Sequence, residues 1–186
     1  MQTRFHGLTF VTDPGRVFTP RATTERLVDA ALERIGRRPA RVADVGTGAG
    51  VIAVTLALRA PQIEIWASDT CGRALAVAER NAERLGAQVH LVHGDLLEGL
   101  PRDLDLIVAN LPYLPPGAGY EDEPAGAVFS TGDGLDHYRR LLACAADHLA
   151  ADGGLAIQFH GEVLEAERRE LPRLRARLAS LVAAAA

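Results

Sequence analysis

The sequence predicts an α/β fold in which helices cover a mostly parallel sheet. Short apolar stretches of strand length alternate with longer stretches of helical periodicity along the chain, an order typical of a parallel sheet. Residues 104–109 are mostly apolar, as expected for a strand that is buried on both faces. Acidic residues stand near the ends of three successive predicted strands, and a parallel sheet brings such ends to one edge.

The chain is predicted to begin with a hairpin followed by a helix. Two segments of alternating polarity flank Asp13-Pro14-Gly15, which predicts a hairpin within residues 1–20. The strands of this hairpin would be residues 8–12 and 16–19. Apolar side chains at helical spacing then predict a leading helix within residues 21–38, with Thr23 or Thr24 as its cap.

Residues 39–160 are predicted to form the core. The predicted strands are residues 41–45, 63–68, 89–92, 104–109 and 155–159, and the predicted helices are residues 51–59, 72–85 and 135–149. Residues 111–133 are rich in Pro and Gly and predict a long functional loop. Residues 152–154 predict a turn, and residues 161–186 predict a C-terminal helix. The length fits a single domain spanning residues 1–186.

Composition narrows the class of protein. Of 186 residues, 48% are hydrophobic and 24% charged, and the formal net charge is −4, which predicts a globular rather than a disordered chain. There is no lysine and no long run of arginine, which disfavours binding to duplex nucleic acid. No apolar stretch reaches bilayer length and the first residues lack a secretory pattern, so we expect a cytoplasmic protein without a membrane partner.

Cysteine and histidine residues show no spacing typical of metal ligands. Cys71 and Cys144 are far apart in sequence, and we expect both as reduced thiols. The six histidines are scattered. The sequence therefore predicts no metal site.

A glycine-rich turn is predicted to bind a cofactor. Gly46-Thr47-Gly48-Ala49-Gly50 follows a predicted strand and opens a helix, so the backbone can approach a ligand at the carboxyl edge of the sheet. Val51 breaks the G-x-G-x-x-G pattern of dinucleotide sites, and the missing lysine excludes a phosphate-binding P-loop. The G-x-G-x-G spacing favours the methionine end of S-adenosylmethionine, although a simple tight turn is the alternative.

Acidic residues at the predicted strand ends complete the cofactor site. Asp69 follows Gly50 by about twenty residues, the spacing of an acid that accepts hydrogen bonds from ribose hydroxyls. Asp95 could accept the adenine amino group while Leu96 packs on the ring, and Asp44 could hold the ammonium. Helix capping and turn formation are the alternatives for these acids. The predicted cofactor-binding residues are Asp44, Gly46, Thr47, Gly48, Gly50, Asp69, Asp95, Leu96 and Asn110.

The segment Asn110-Leu111-Pro112-Tyr113 is predicted to hold the methyl acceptor. An amide nitrogen is a poor nucleophile, so a site must hold its N–H groups and orient it. The Asn110 oxygen and the Leu111 carbonyl can accept those N–H groups, Pro112 restricts the preceding residue, and Tyr113 offers a flat face for a planar group. An ordinary proline-containing loop is the alternative. The gain expected from such a clamp is mainly orientation.

Several stretches together resemble the HemK-type release-factor glutamine methyltransferases. They are Val17-Phe18-Thr19-Pro20-Arg21, Thr24-Glu25, residues 44–52, Ser68-Asp69, residues 74–78, Asn81, Gly94-Asp95, residues 105–113, Glu123-Pro124, residues 132–135 and Tyr138-Arg139. The resemblance implies a class I S-adenosylmethionine-dependent methyltransferase fold (Rossmann-like) and N5-methylation of a glutamine in a release-factor-like protein. It also implies that Gly46, Gly48, Gly50, Asp69 and Leu96 face the cofactor, and that the segment 110–113 holds the glutamine.

Departures from that family leave other functions open. Leu111 stands where the family usually has proline, and Asn-Leu-Pro-Tyr also occurs in ribosomal RNA adenine dimethyltransferases. The helical N-terminal domain with which the family holds its protein substrate is not recognisable. The alternatives are therefore methylation of adenine N6 or of a small-molecule amine, and a cofactor-binding partner subunit without catalysis.

The C-terminal end of the sheet is predicted to be truncated. Two further strands normally follow the fifth in this fold, whereas residues 161–186 have a helical pattern. Residues 155–159 would then form an apolar edge strand, which proteins avoid exposing. We expect either a homodimer through this strand or a cover by the final helix, with the dimer favoured because a helix satisfies edge hydrogen bonds poorly.

Overall fold

The structure is a computed structural model that describes residues 1–114 and 123–185. Its strands are β1 (Gln2–Phe5), β2 (Leu8–Val11), β3 (Ala40–Val45), β4 (Ile63–Asp69), β5 (His90–His93), β6 (Leu104–Ala109), β7 (Leu149–Phe159) and β8 (Glu162–Glu167). Its α-helices are α1 (Glu25–Ile35), α2 (Val51–Arg59), α3 (Gly72–Leu85), α4 (Ala125–Val128), α5 (Asp136–His148) and α6 (Leu171–Ala185). Short 3-10 turns, Ala22–Thr24 and Arg168–Glu170, precede α1 and α6. The middle of the predicted loop, residues 115–122, lies outside the described residues.

A six-stranded sheet forms the centre of the molecule, in the order β5-β4-β3-β6-β7-β8. The first five strands of that order are parallel to their neighbours, and β8 is antiparallel to β7. Because parallel strands end at one edge, the residues that follow β3, β4, β5 and β6 meet there. The predicted parallel α/β sheet is thereby confirmed.

Helices cover both faces of this sheet. Strand β3 shows the division, because Val42 packs into one buried cluster and its neighbour Ala43 into the other. The first cluster takes apolar side chains from α1, α2 and α3, and the second takes them from α5 and α6. Leu174 and Leu178 of α6 are buried in the second cluster, so the last helix covers a face of the sheet rather than its edge.

The N-terminal hairpin lies earlier in the chain than predicted. Strands β1 and β2 pair antiparallel and place Phe5 opposite Leu8, which leaves His6 and Gly7 as a two-residue turn. Both turn residues have positive φ, 49° and 78°, as a tight hairpin turn of the type I′ class requires. The predicted strand at residues 8–12 is confirmed as β2, but its partner is β1 rather than residues 16–19, and Asp13-Pro14-Gly15 is a turn outside the hairpin.

The predicted edge strand is internal, because β8 pairs with it. Residues 160–161 form a second two-residue turn with positive φ, and Phe159 faces Glu162 across it. Leu164 and Ala166 of β8 are buried while Glu162 and Glu165 are exposed, the alternation of a strand with one covered face. The prediction that the C-terminal segment is helical from residue 161 is thus wrong for β8. The prediction that the sheet ends at residues 155–159 is also wrong, because β8 adds one strand. A dimer is therefore no longer needed to cover that strand.

The predicted turn at residues 152–154 is part of β7. Its glycines allow a close approach instead, since a Cβ on Gly153 would lie 2.5 Å from the carbonyl oxygen of Leu104. The register between β6 and β7 is irregular at this point, so the glycines mark a bulge within β7. Among the described residues, no helix is both long and apolar enough to cross a membrane.

Candidate active site

The glycine turn connects β3 to α2 and adopts a conformation that only glycine tolerates well. Gly46, Gly48 and Gly50 have φ values of 72°, 56° and 78°. A Cβ on Gly46 would lie 2.7 Å from Leu111 Cδ2, and one on Gly50 would lie 2.9 Å from Ala78 Cβ. Above Gly48 there is no atom within 4 Å of such a Cβ among the described residues. The turn is packed at both ends and open in its middle.

A cleft of about 280 Å³ opens over this turn at the carboxyl edge of the sheet. Of the predicted cofactor residues, those lining it are Gly46, Thr47, Gly48, Asp69, Asp95, Leu96 and Asn110. Residues that the sequence did not single out for the cofactor also line it, among them Arg16, Phe18, Cys71, Ala74 and His137. Asp44 and Gly50 do not line it. Gly50 is used in packing against α3.

Asp44 lies behind the turn and is fully buried. Its Oδ2 accepts hydrogen bonds from Thr47 Oγ1 at 2.6 Å and from the Ala53 N–H at 3.1 Å, so it holds the turn to the first residues of α2. Its Oδ1 is buried without a partner among the described residues. The predicted contact between Asp44 and the cofactor ammonium finds no support in this geometry.

Asp44 is expected to make stability pH-dependent. Burial raises the pKa of its carboxyl from 3.8 to about 7, against the hydrogen bonds from Thr47 and Ala53, which lower it. Folding therefore takes up a proton between about pH 4 and 7, and this group's contribution falls as pH rises through that window, by up to about 1.4 kcal/mol per pH unit. Asp44→Asn mimics the neutral acid, so its free energy of unfolding in urea should lack this pH-dependent decrease. Relative to the wild type, the variant should therefore be more stable at pH 8 than at pH 4. If the free energies of unfolding of the two proteins change with pH in parallel, the raised pKa is contradicted.

Asp69 ends β4 and lines the cleft while fixing two turns. Its Oδ2 accepts from the Gly48 N–H at 2.9 Å and its Oδ1 from the Cys71 N–H at 2.8 Å. Cys71 is the N-cap residue of α3, which has no side-chain cap, so Asp69 orders the turn before the helix and lines the cleft, and the helix-capping alternative is wrong. Each carboxylate oxygen keeps a further lone pair for a ligand hydroxyl.

Asp95 and Leu96 follow β5 and line the cleft next to the Asp69 loop, because the Gly94 N–H donates to the Asp69 carbonyl at 3.2 Å. The Asp95 carboxylate forms an ion pair with Arg140 of α5, so a ligand amino group would share this acceptor. Leu96 has a positive φ of 52°, and its carbonyl accepts from Ser68 Oγ at 2.6 Å. That bond fixes the backbone conformation in which Leu96 meets the cleft.

Asn110 follows β6 and stands between the cleft and a second, smaller pocket. Its Nδ2 donates to Oγ1 of Thr24 at 3.2 Å, which directs Oδ1 to the opposite side of the amide. Thr24, whose side chain was predicted as a cap of α1, makes no such bond. It is only 3% exposed and belongs to the lining of both pockets.

The peptide of Leu111 is held by a buried tyrosine. The Tyr138 hydroxyl accepts from the Leu111 N–H at 3.2 Å and donates to the backbone carbonyl of Gln158. Tyr138 is fully buried, and burial raises the pKa of its phenol above the usual range, so it stays a neutral donor. The Leu111 side chain packs on Gly46, so this leucine fills space against the glycine turn.

Tyr113 packs among rings and against a glycine. Its ring lies 5.2 Å from that of Phe159 and 5.1 Å from that of His160, centroid to centroid. A Cβ on Gly134 would overlap the Tyr113 carbonyl oxygen, so that glycine is required by close backbone approach. The predicted stacking face of Tyr113 is therefore shared with these rings.

The second pocket, about 50 Å³, adjoins the cleft at the clamp. Phe18, Thr24, Asn110, Leu111, Pro112 and Ala127 line both cavities. Tyr113 and Gln158 line the second pocket but not the cleft. Glu123 holds the segment that carries Phe18, because its carboxylate accepts from the Thr19 N–H at 3.0 Å and pairs with Arg21 at 3.7 Å. Three of the four predicted clamp residues, Asn110, Leu111 and Pro112, thus lie at the junction of the two cavities, and Tyr113 lines the second.

Comparison with known proteins identifies the family. A model described as "Methyltransferase small domain" matches residues 7–169. The chain belongs to this family. A release factor glutamine methyltransferase of Bordetella pertussis is 42% identical over 165 residues, which cover 82% of this chain and 60% of that protein. One of Geobacter sulfurreducens is 40% identical over 163 residues, 83% of this chain and 57% of that protein. The chain therefore spans less than two thirds of these relatives.

Solved structures of other methyltransferases share the fold. A ribosomal protein L11 methylase from Lactobacillus delbrueckii subsp. bulgaricus superposes with a TM-score of 0.61 at 26% identity, over 90% of this chain and 72% of that one. A Thermus thermophilus 16S rRNA N2 G1207 methyltransferase, solved with AdoMet and guanosine, has a TM-score of 0.64 at 21% identity, over 84% and 40% of the two chains. The predicted class I methyltransferase fold is confirmed, and membership of a methyltransferase family supports the predicted activity and the predicted cofactor, S-adenosylmethionine.

The residues of this methyltransferase domain fit such a cofactor. The open space above Gly48 leaves room for a ligand where a Cβ would stand in other residues. Asp69 and Asp95 follow the neighbouring strands β4 and β5 and place two carboxylates in a cleft whose remaining lining is largely apolar. Among the described residues, no group of three or more His, Cys, Asp or Glu residues could hold a metal ion.

Proposed function

We propose that the chain is an S-adenosylmethionine-dependent N-methyltransferase that methylates the side-chain amide of a glutamine in a release-factor-like protein. The observation that carries the proposal is the orientation of Asn110, whose Nδ2 donates to Thr24. Its Oδ1 is left as a hydrogen-bond acceptor at the junction of the cofactor cleft and the second pocket. The relatives named as release factor glutamine methyltransferases support the acceptor class. The cytoplasmic location stays a prediction.

The clamp acts on the acceptor by orientation and polarisation. S-adenosylmethionine, when bound, supplies an electrophilic methyl group on its sulfonium sulfur. The Asn110 oxygen and the Leu111 carbonyl accept the two N–H groups of the acceptor amide, which positions its nitrogen towards the cleft. Tyr138 fixes the Leu111 peptide, and Gly46 allows Leu111 to pack closely. No group of the clamp needs to carry a charge for this role.

The charge of the chain favours a protein acceptor over RNA. The interleaved charges and the net charge of −4 add nothing that would attract RNA.

Cofactor binding and the acceptor class can be tested separately. Isothermal titration with S-adenosylmethionine should show binding that falls at least about tenfold in Asp69→Ala, the loss of a charge-assisted hydrogen bond. Labelled cofactor with cell lysate should then place methyl label on protein. Label that disappears with RNase would instead indicate an RNA acceptor, and no transferred label at all would indicate a binding subunit.

Thr24 is expected to act through Asn110. Thr24→Val removes the acceptor of the Nδ2 hydrogen bond at nearly constant shape, so the Asn110 amide should rotate and kcat should fall about tenfold. Thr24→Ser keeps an oxygen at this position and should stay close to the wild-type rate. The two variants compared in steady-state kinetics isolate this bond. Equal kcat values for Val and Ser would contradict the role.

A further inference from the structure

The second pocket contains an unpaired polar atom that the clamp does not explain. Gln158 lies in β7, between the buried apolar residues Ile157 and Phe159, and is only 2% exposed. Its Oε1 is buried and has no hydrogen-bond partner within residues 1–114 and 123–185. Its backbone carbonyl accepts the Tyr138 hydroxyl, but that bond does not involve the side chain. A leucine or methionine would fill this position without the unpaired oxygen.

Buried polar atoms are almost always paired in proteins. Three side-chain atoms of the described residues break this rule, namely Asp44 Oδ1, Ser130 Oγ and Gln158 Oε1. Of these three residues, only Gln158 lines either the cleft or the second pocket. A molecule in the second pocket can therefore supply a partner for Gln158, whereas it cannot reach the other two.

We infer that the Gln158 side-chain oxygen accepts a hydrogen bond from an N–H group of the methyl acceptor. This rests on the proposed function and adds a third acceptor to the Asn110 oxygen and the Leu111 carbonyl. A primary amide has only two N–H groups for these three acceptors. The third acceptor therefore bonds a backbone N–H of the peptide that carries the glutamine. The pocket then recognises a ligand rich in N–H donors and selects a peptide-borne amide over a tertiary amine or a carboxylate. Gln158 is an acceptor-binding residue that sets specificity.

The test uses Gln158→Met with labelled S-adenosylmethionine and a synthetic peptide with a central glutamine. Methionine keeps the length of the side chain but lacks the acceptor, so the KM for the peptide should rise about tenfold, the loss expected for one neutral hydrogen bond. The Kd for S-adenosylhomocysteine should be unchanged in the variant.

A matched control and a stability measurement separate binding from structure. Ser130→Ala removes another unpaired buried oxygen that lies outside both cavities, and its peptide KM should equal that of the wild type. Gln158→Met should melt at or above the wild-type temperature, because it removes an unpaired buried group. An unchanged peptide KM in Gln158→Met, or a lowered melting temperature that accounts for its lost activity, overturns the role of Gln158 alone. A wild-type protein that methylates no glutamine peptide overturns the proposed function and this inference with it.

Discussion

Asn110→Ala is expected to lower the rate of methyl transfer at least about a hundredfold. The side chain supplies one of the two acceptors that orient a poorly nucleophilic nitrogen, and misplacing a reacting atom by about 1 Å can by itself cost that much. The cofactor should still bind, because Asp69 and the glycine turn are untouched by the change. The measurement is single-turnover transfer of labelled methyl to a glutamine peptide, with both substrates saturating.

Two controls must show that Asn110→Ala is folded and still binds the cofactor. Titration with S-adenosylmethionine should give an affinity within a few-fold of the wild type, since Asn110 only borders the cleft. Thermal unfolding should shift little, because the one side-chain hydrogen bond lost, to Thr24, is worth about 1 kcal/mol. A single-turnover rate within threefold of the wild type would show that the segment 110–113 does not hold the acceptor, whatever the protein methylates.

The central elements were predictable because local and tertiary preferences agree there. Helices α2 and α3 and strand β6 begin and end at the predicted residues. Gly86 ends α3 in the left-handed conformation, which is the usual glycine cap. Strand β6 is apolar enough that only a central parallel strand accommodates it. In these elements the sequence pattern and the sheet impose the same bounds.

The turns of both hairpins were missed for one reason. Tight hairpin turns are recognised from Asn-Gly or Asp-Gly, whereas this chain uses His-Gly twice, at residues 6–7 and 160–161. Histidine also adopts the left-handed conformation more often than most residues, so the same turn forms without an Asn-Gly or Asp-Gly sequence. Missing the second of these turns turned β8 into a predicted helix, and the edge strand and the dimer followed from that error.

The candidate site was predictable where it is local in sequence and not where it depends on tertiary contacts. The glycine turn and Asp69 line the cleft as predicted, because strand ends in a parallel sheet determine their place. Thr24 and Gln158 reach the clamp from the 3-10 turn before α1 and from β7, and the sequence pattern did not place either side chain beside Asn110. Asp44 was predicted to contact the cofactor because it is adjacent to the turn in sequence. It lies behind the turn instead and holds it through hydrogen bonds from Thr47 and Ala53.

Gly134→Ala is expected to damage both stability and the clamp. Gly134 has a φ of 84°, a conformation that costs an alanine roughly 1–2 kcal/mol. The added Cβ would also overlap the backbone carbonyl oxygen of Tyr113 and approach its carbonyl carbon to 3.2 Å. Because a backbone carbonyl cannot rotate away as a side chain can, the Tyr113 peptide must shift. We expect a total loss of at least about 2 kcal/mol in the free energy of unfolding, with a peptide KM raised along with it.

Gly132→Ala is the matched control for this close approach. Gly132 lies two residues earlier, has a φ of 60°, and would place its Cβ more than 4 Å from every described atom beyond its chain neighbours. It therefore carries the conformational cost without the collision, and the difference between the two variants measures the contact with Tyr113. Urea unfolding and peptide kinetics of both proteins give that difference. If Gly132→Ala and Gly134→Ala lose equal stability and equal activity, the left-handed backbone alone explains the glycines, and Tyr113 is not positioned by close contact with Gly134.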